Sequence, residues 1–472
     1  MVFSTPEFFV FFGAVMLLLA TIKGQRQRQI ILLLASYFFY AYFDIRYLLL
    51  MVGETYAVYR LGICIEKYQD ISPKRCKGYS IAGVCLTIAV LLFFKYTNFI
   101  IDSFNFVLHR EATGALRILL PIGISFYTFQ LLSYLIDVYR KKQKATRSFV
   151  KMTLYTSFFP QLVAGPVMRP KDLMPQLDTN PVLNIDTLSQ GLQIFLFGLF
   201  KKLVIADNLA VFVNQVFGAP AAFNSQTVIL AVIAYSIQIY CDFSGYSDMA
   251  VGTAKCMGYN LVRNFNIPYL SYNPTEFWKR WHISLSAWLQ DYLYFSLGGN
   301  RKGRIRTDVN LLLTMLIGGL WHGASWNFVI WGALHGLALI LHKQFLRLTG
   351  RPRGYRSPSK LIRTLSTLCN FVFVSFAWIF FRSTDTAATI TIMKKIFFIT
   401  PQGLSQPFVH AIIFALLMLA VHLFVAFKSN REGFYILLDY RRFYTKLILA
   451  AVIWLVICFA YGNSSPFIYF QF

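Results

Sequence analysis

Two clusters of tryptophan and histidine stand inside strongly apolar sequence: Trp278-Lys-Arg-Trp-His282-Ile-Ser-Leu-Ser-Ala-Trp288 and Gly318-Gly-Leu-Trp-His322-Gly-Ala-Ser-Trp326. An imidazole among aromatic side chains must find a partner or a task, because an unsatisfied polar group there costs several kcal/mol, roughly. Neutral histidine tolerates burial, which disfavours its charged form, and still accepts a proton near pH 7. That is the profile of a general base removing a hydroxyl proton, a step worth about 10² to 10⁴ fold in rate.

Of the 7 histidines, His109, His410 and His422 stand alone in ordinary contexts and read as packed or interfacial imidazoles. His282, His322, His335 and His342 remain. On one unbroken helix His322 and His335 would sit roughly 140° apart and could not share a cavity, whereas His335 and His342 would differ by about 20° and line one stripe. Gly318, Gly319 and Gly323 favour a break near His322, which would lift it into a loop or a helix N-terminus. Metal binding is not expected: there is no His-Glu-x-x-His or His-x-x-x-His pair, and neither Glu276 nor Asp291 stands three or four residues from His282. Asp242 and Asp248 are acids in an apolar run and read either as functional groups or as partners of a basic residue such as Arg280 or Lys255. The serines around them make poor nucleophiles, since Gly-x-Ser-x-Gly is absent and no base is adjacent in sequence.

The elements that must position these groups are membrane helices. In 472 residues, 57% are hydrophobic and 14% charged, too apolar for a soluble globular chain. Apolar runs of about 20 residues, the length that crosses a bilayer, recur near 6–22, 29–52, 79–101, 115–137, 190–206, 226–257, 309–345, 362–381, 408–427 and 446–461. Shorter runs at 150–165 and 284–298 suit re-entrant or interfacial helices. The expected fold is all-α and polytopic, with about 10 to 13 helices, in one domain over 1–472. The catalytic core falls at about 115–345, between peripheral helices at 1–114 and 346–472. Proline and glycine interrupt the middle third at Pro121, Pro160, Pro166, Gly245, Gly298 and Gly318, which favours an internal cavity or funnel.

The first run lacks a basic leader and a small-residue cleavage site and reads as a retained helix. Lys23, Arg26 and Arg28 follow it and place that loop in the cytoplasm and the N-terminus outside. The formal charge of +25 is gathered in loop clusters at Lys74–Lys77, Arg140–Arg147, Arg301–Arg306 and Arg351–Arg363. These suit topology and anionic headgroups, and the cluster at Arg301 also suits an anionic nucleotide thioester. Nucleic acid is not an expected partner. The 7 cysteines form no Cys-x-x-Cys pair and read as small hydrophobes.

Together Trp-His-Gly-Ala-Ser-Trp at 321–326, Trp-Gly-Ala-Leu-His-Gly at 331–336, Phe-Trp-Lys-Arg-Trp-His-Ile-Ser-Leu-Ser at 277–286, Asp-Phe-Ser-Gly-Tyr-Ser-Asp-Met-Ala at 242–250 and Pro-Ile-Gly-Ile-Ser-Phe-Tyr at 121–127 resemble the membrane-bound O-acyltransferase (MBOAT) family. The likeness is strongest to the branch serving bacterial alginate O-acetylation. It implies a many-helix fold around a funnel, with His322 as the essential histidine and His282 as its support. It further implies acetyl-CoA as the acyl donor, with no permanently bound cofactor, and transfer across the inner membrane to a periplasmic SGNH-type partner and the polysaccharide machinery. Position 290 departs from similar proteins, which carry arginine in the run Trp288-Leu-Gln-Asp-Tyr-Leu-Tyr294. The expected donor contacts are therefore Arg280, Arg301, Asn300 and Trp321. Acylation of peptidoglycan, and transfer of D-alanine or a longer chain, share this fold. A transporter or flippase is the alternative from another class, since broken helices also build transport sites.

Overall fold

The computed structural model describes residues 1–108, 116, 118–383, 385–406, 408–428, 437–460 and 467–468. His109 and the side chain of His410 lie outside them. Among the described residues the chain is all-α, and its only β pairing is an isolated bridge between Phe223 and Leu404. Five helices are long and apolar enough to cross a membrane: Ile45–Tyr68, Pro73–Val107, Ser225–Cys256, Trp326–Leu348 and Lys360–Arg382. Pro6–Thr21, Ala411–Phe424 and Phe443–Phe459 are shorter apolar stretches of helix. The chain is a multi-pass membrane protein.

Two of the expected runs are each divided between two helices, the second at the break expected near His322. The run at 29–52 divides into Gln25–Ala41 and Ile45–Tyr68, because Asp44 caps the second helix, its carboxylate accepting from Arg46 N at 2.8 Å. The run at 309–345 divides into Arg304–His322 and Trp326–Leu348. In the run expected from 115, helix Ile124–Tyr139 starts after Pro121 and a left-handed Gly123 with φ +75°. The short pieces at 150–165 and 284–298 are short helices, Phe149–Ser157 and Phe159–Leu162 in the first, Ile283–Trp288 and a π-helical Leu289–Tyr294 in the second.

The residues fall into two compact units. The first comprises Met1–Phe195 and Ser247–Val262. In it Ile45–Tyr68 and Ile124–Tyr139 run parallel: Tyr47 Oη donates to Leu119 O at 2.9 Å, Tyr134 packs where Gly62 leaves room, and Gln69 Nε2 donates to Val138 O. Arg28, read from the sequence only as a topology signal, is turned into the protein. It is 3% exposed and donates to Met257 O and to Tyr259 Oη, so one of the three basic residues after the first helix is structural.

The second unit comprises Leu196–Tyr246 and Arg263–Phe472. Its centre is the antiparallel hairpin of Arg304–His322 and Trp326–Leu348. Gly319 faces Phe328 O and the Cα of Gly332, and a Cβ at Gly332 would fall 2.5 Å from Met315 O. The two backbones meet at a distance that only hydrogen side chains permit, the small-residue contact by which membrane helices gain close packing. Lys360–Arg382 supplies Trp378 and Phe381 to the same core, where Trp378 stacks on Trp331 with ring centroids 5.7 Å apart. Gly332→Leu is expected to force the hairpin open. The cost is about 1 to 3 kcal/mol of overpacking, read as a lower midpoint of thermal unfolding in detergent; an unchanged midpoint would show that the helices do not meet there.

Candidate active site

Helix Arg304–His322 stops because Gly323 turns out of it with φ −160°, and a Cβ there would overlap the Phe328 ring. The expected break is therefore present, but it leaves His322 as the last residue of a helix and not in a loop or at a helix N-terminus. That placement has a chemical use. The C-terminal end of a helix carries partial negative charge, so a cation formed on the ring during proton transfer is favoured there.

His322 is 3% exposed, and its ring meets Trp321, Trp331 and Phe381 edge-on at centroid distances of 5.0, 5.1 and 5.2 Å. The imidazole is thus walled by aromatic side chains. His282 is fully buried, and its ring lies 6.3 Å from that of His322, 5.9 Å from Trp321 and 4.7 Å from Phe243. The residues expected as catalytic are thus brought together, with Trp321 between them.

The backbone holding His282 is unusual. The residue has φ +43° and ψ 56°, a left-handed conformation that costs a residue with a Cβ on the order of 1 to 3 kcal/mol. It is set between Pro274–Arg280 and Ile283–Trp288. The irregular segment 264–266 clamps both sides of it: Asn266 N donates to Arg280 O at 2.9 Å, Ile283 N donates to Asn264 O at 2.9 Å, and Ser284 Oγ donates to Asn264 Oδ1 at 2.5 Å. Neither ring nitrogen of His282 has a hydrogen-bond partner.

His335 and His342 share the stripe expected of them, and it faces Pro274–Arg280. His342 Nδ1 is 2.9 Å from Thr275 Oγ1, while the fully buried His335 ring stacks on Phe277 at 5.9 Å. His335 and His322 also meet the same indole, Trp331, at 4.8 and 5.1 Å. The 140° separation on a continuous helix is undone by the break between them. His422 packs against Tyr240 and bonds to Met418 O at 2.9 Å, as an ordinary core imidazole would.

The expected donor contacts divide. Trp321 is in the buried cluster. Arg280 is engaged by Glu276 at 2.6 Å, four residues earlier on the same helix. Asn300 and Arg301 are exposed, on the turn before helix Arg304–His322 that Asn310 Nδ2 pins through Gly299 O at 2.9 Å. About 27 Å of helix separates Arg304 from His322, so a donor held at both places must lie extended along it. Among the described residues no three of His, Cys, Asp and Glu gather as a metal site would require.

Asp242 pairs with neither Arg280 nor Lys255. Its partner is Lys202, at 2.7 Å, which also holds Asp207 at 2.8 Å, all three side chains at most 5% exposed. Ile468 N donates to the second oxygen of Asp242 at 2.8 Å. Sequence reasoning missed Lys202, although a Lys-Lys pair inside the run Leu199–Ala206 was a visible signal. The segment Lys201–Ala206 is π-helical, a local widening that sends Lys202 inward. It also brings Lys201 Nζ within 3.0 Å of Ser244 Oγ, a basic neighbour that no adjacency in sequence revealed.

The sequence model of the membrane-bound O-acyltransferase family matches residues 138–384. The chain is 39% identical to a probable alginate O-acetylase AlgI of Pseudomonas putida, over the full length of both. It is 37% identical to a peptidoglycan O-acetyltransferase of Helicobacter pylori over 84% of this chain and 79% of that one. It is 28% identical to a teichoic acid D-alanyltransferase of Streptococcus thermophilus over 50% of this chain and 59% of the other.

Removing the cation from the triad leaves two buried carboxylates facing each other. Lys202→Met is expected to lose about 3 to 5 kcal/mol of stability, and adding Asp207→Asn and Asp242→Asn is expected to recover most of it. Thermal unfolding in detergent of the wild type, Lys202→Met, Asp207→Asn/Asp242→Asn and the triple variant checks this; additive losses would mean that the lysine does not interact with the two carboxylates.

Proposed function

The chain belongs to the membrane-bound O-acyltransferase family and is a membrane O-acyltransferase, and from that premise we propose that it moves an acetyl group from cytoplasmic acetyl-CoA across the bacterial inner membrane for O-acetylation of an exopolysaccharide. The observation that carries this reading is the enclosure of His282 and His322 around Trp321, two imidazoles 6.3 Å apart at a helix end. His322 takes the proton of the acceptor hydroxyl as its oxygen attacks the thioester carbonyl. The C–S bond then breaks, and the departing thiolate takes that proton back. An oxygen ester and a thiol result, with no net change in protons. His282 orients the reacting groups from its clamped turn.

The charged donor stays on the cytoplasmic side, where the exposed turn at Asn300 and Arg301 draws its phosphates. Only the uncharged acetyl group enters the apolar interior, which avoids the cost of carrying an anion into the bilayer. The N-terminus lies in the periplasm, where an SGNH-type transferase receives the acetyl group and esterifies the polymer. An alginate-like acceptor is favoured by the full-length likeness to a probable alginate O-acetylase. Peptidoglycan is the second reading, supported by the Helicobacter pylori relative. The transporter alternative yields to the family, whose members named here transfer acyl groups.

In a strain producing normal amounts of membrane-inserted His322→Ala protein, ester content of the cell-surface glycan is expected to fall by about 10² to 10⁴ fold; unchanged content would remove the general-base role. His282→Ala is expected to reduce it strongly but incompletely, and wild-type turnover would leave His282 a packing residue.

A further inference from the structure

Within the second unit, the hydrogen-bonding groups around His335 do not balance. Its two ring nitrogens, Trp331 Nε1 and Trp278 Nε1 are all buried, and none has a partner. Their rings are in contact: Trp278 lies 5.2 Å and Trp331 4.8 Å from His335, and Trp278 and Trp331 lie 5.7 Å from each other. A neutral imidazole offers one N–H and one acceptor, and each indole offers an N–H only. The cluster therefore holds three donors against one acceptor. Buried donors without acceptors are rare in folded proteins and mark a functional group or a bound molecule. Water supplies as many donors as acceptors and so leaves the imbalance in place; an oxygen that only accepts removes it.

We propose that the N–H groups of Trp331 and Trp278, oriented by His335, form the hydrogen-bond donor site that holds the acyl carbonyl oxygen. The inference rests on the thioester reading given above, and it adds the residues that polarise the donor. Trp331 is the link, because its ring meets both His335 and His322. When the acceptor oxygen bonds to the carbonyl carbon, the C=O π pair moves onto the carbonyl oxygen and the proton goes to His322. The indole N–H groups donate to the oxyanion. Collapse restores the C=O bond and expels the thiolate, which takes the proton from His322. His335 is a positioning residue here: stacked on Phe277 and edge-on to Phe373, it packs against both indoles and fixes their orientation.

The test uses full-length protein in detergent, the donor acetyl-CoA labelled with ¹³C at the carbonyl, and the non-transferable ketone analogue in which a methylene separates sulfur from that carbonyl. Replacing Trp331 by 3-benzothienylalanine exchanges N–H for S at almost unchanged ring shape, and Trp331→Phe is the natural-residue counterpart. In the wild type, difference infrared spectra are expected to show the bound ketone carbonyl shifted to lower frequency than in water. In the benzothienyl protein that shift is expected to shrink, with kcat for acetyl transfer reduced about 10 to 10³ fold, while binding of CoA itself, which has no carbonyl at that position, and the thermal midpoint stay at wild-type values. Bound ketone with an unshifted carbonyl in the wild type, or a frequency and kcat that the 331 exchange leaves unaltered, overturns this assignment and leaves the donor reading standing. No binding of either acetyl-CoA or CoA to the wild type overturns the donor reading, and this assignment with it.

Discussion

Two helices of the second unit touch backbone to backbone, and the arrangement of the histidines follows from that contact. Met315 O sits where a side chain at position 332 would be, and Phe328 O where one at 319 would be. No apolar driving force joins helices inside lipid, since the tails are as apolar as leucine; close van der Waals contact and internal hydrogen bonding have to do it. The glycines supply that contact, and the tight turn at Gly323 returns the chain at once. His322 thus ends one helix while Trp331 and His335 stand on the next, all around one aromatic core. A wider crossing would leave the imidazoles on separate faces.

That core is sealed mainly by rings. Trp331, Trp378, Phe277 and Phe381 are each largely buried, and they pack against His322 and His335 with groups that offer few acceptors. With His322 only 3% exposed, a proton on its ring would interact with the helix end at low dielectric, where such interactions are strongest. The left-handed turn at His282 belongs to the same design. Its backbone is costly, and the paired hydrogen bonds from 264–266 hold it against the alternative conformations that would swing the ring away.

The sequence carried a good share of this. Membrane helices announce themselves by apolar length, and Ser225–Cys256 and Lys360–Arg382 lie within a residue or two of the runs at 226–257 and 362–381. The break near His322 was legible from Gly318, Gly319 and Gly323, because glycine has a local conformational meaning. Two kinds of information were not legible. Partners across the fold have no signature along the chain: Asp242 was matched to Arg280 or Lys255, both of which are engaged by Glu276 and Asn260 instead. Local widening of a helix was equally hidden, since nothing in Lys-Lys-Leu-Val-Ile-Ala marks it as π-helical rather than α-helical. The burial of Arg28 shows the same limit from the other side, as a loop-like position proved to be a cap for the backbone at Met257.

The lysine shared by Asp207 and Asp242 bears on how the chain enters the bilayer. Asp242 follows Lys202 by 40 residues, so at about 5 to 20 residues per second the ribosome needs roughly 2 to 8 s to deliver the second carboxylate. During that interval the lysine has only Asp207 beside it. The Lys202–Asp207 pair is formally neutral by itself, so what arrives with Ser225–Cys256 is a second carboxylate that the same ammonium has to share, and the buried triad is complete only once that helix has been made.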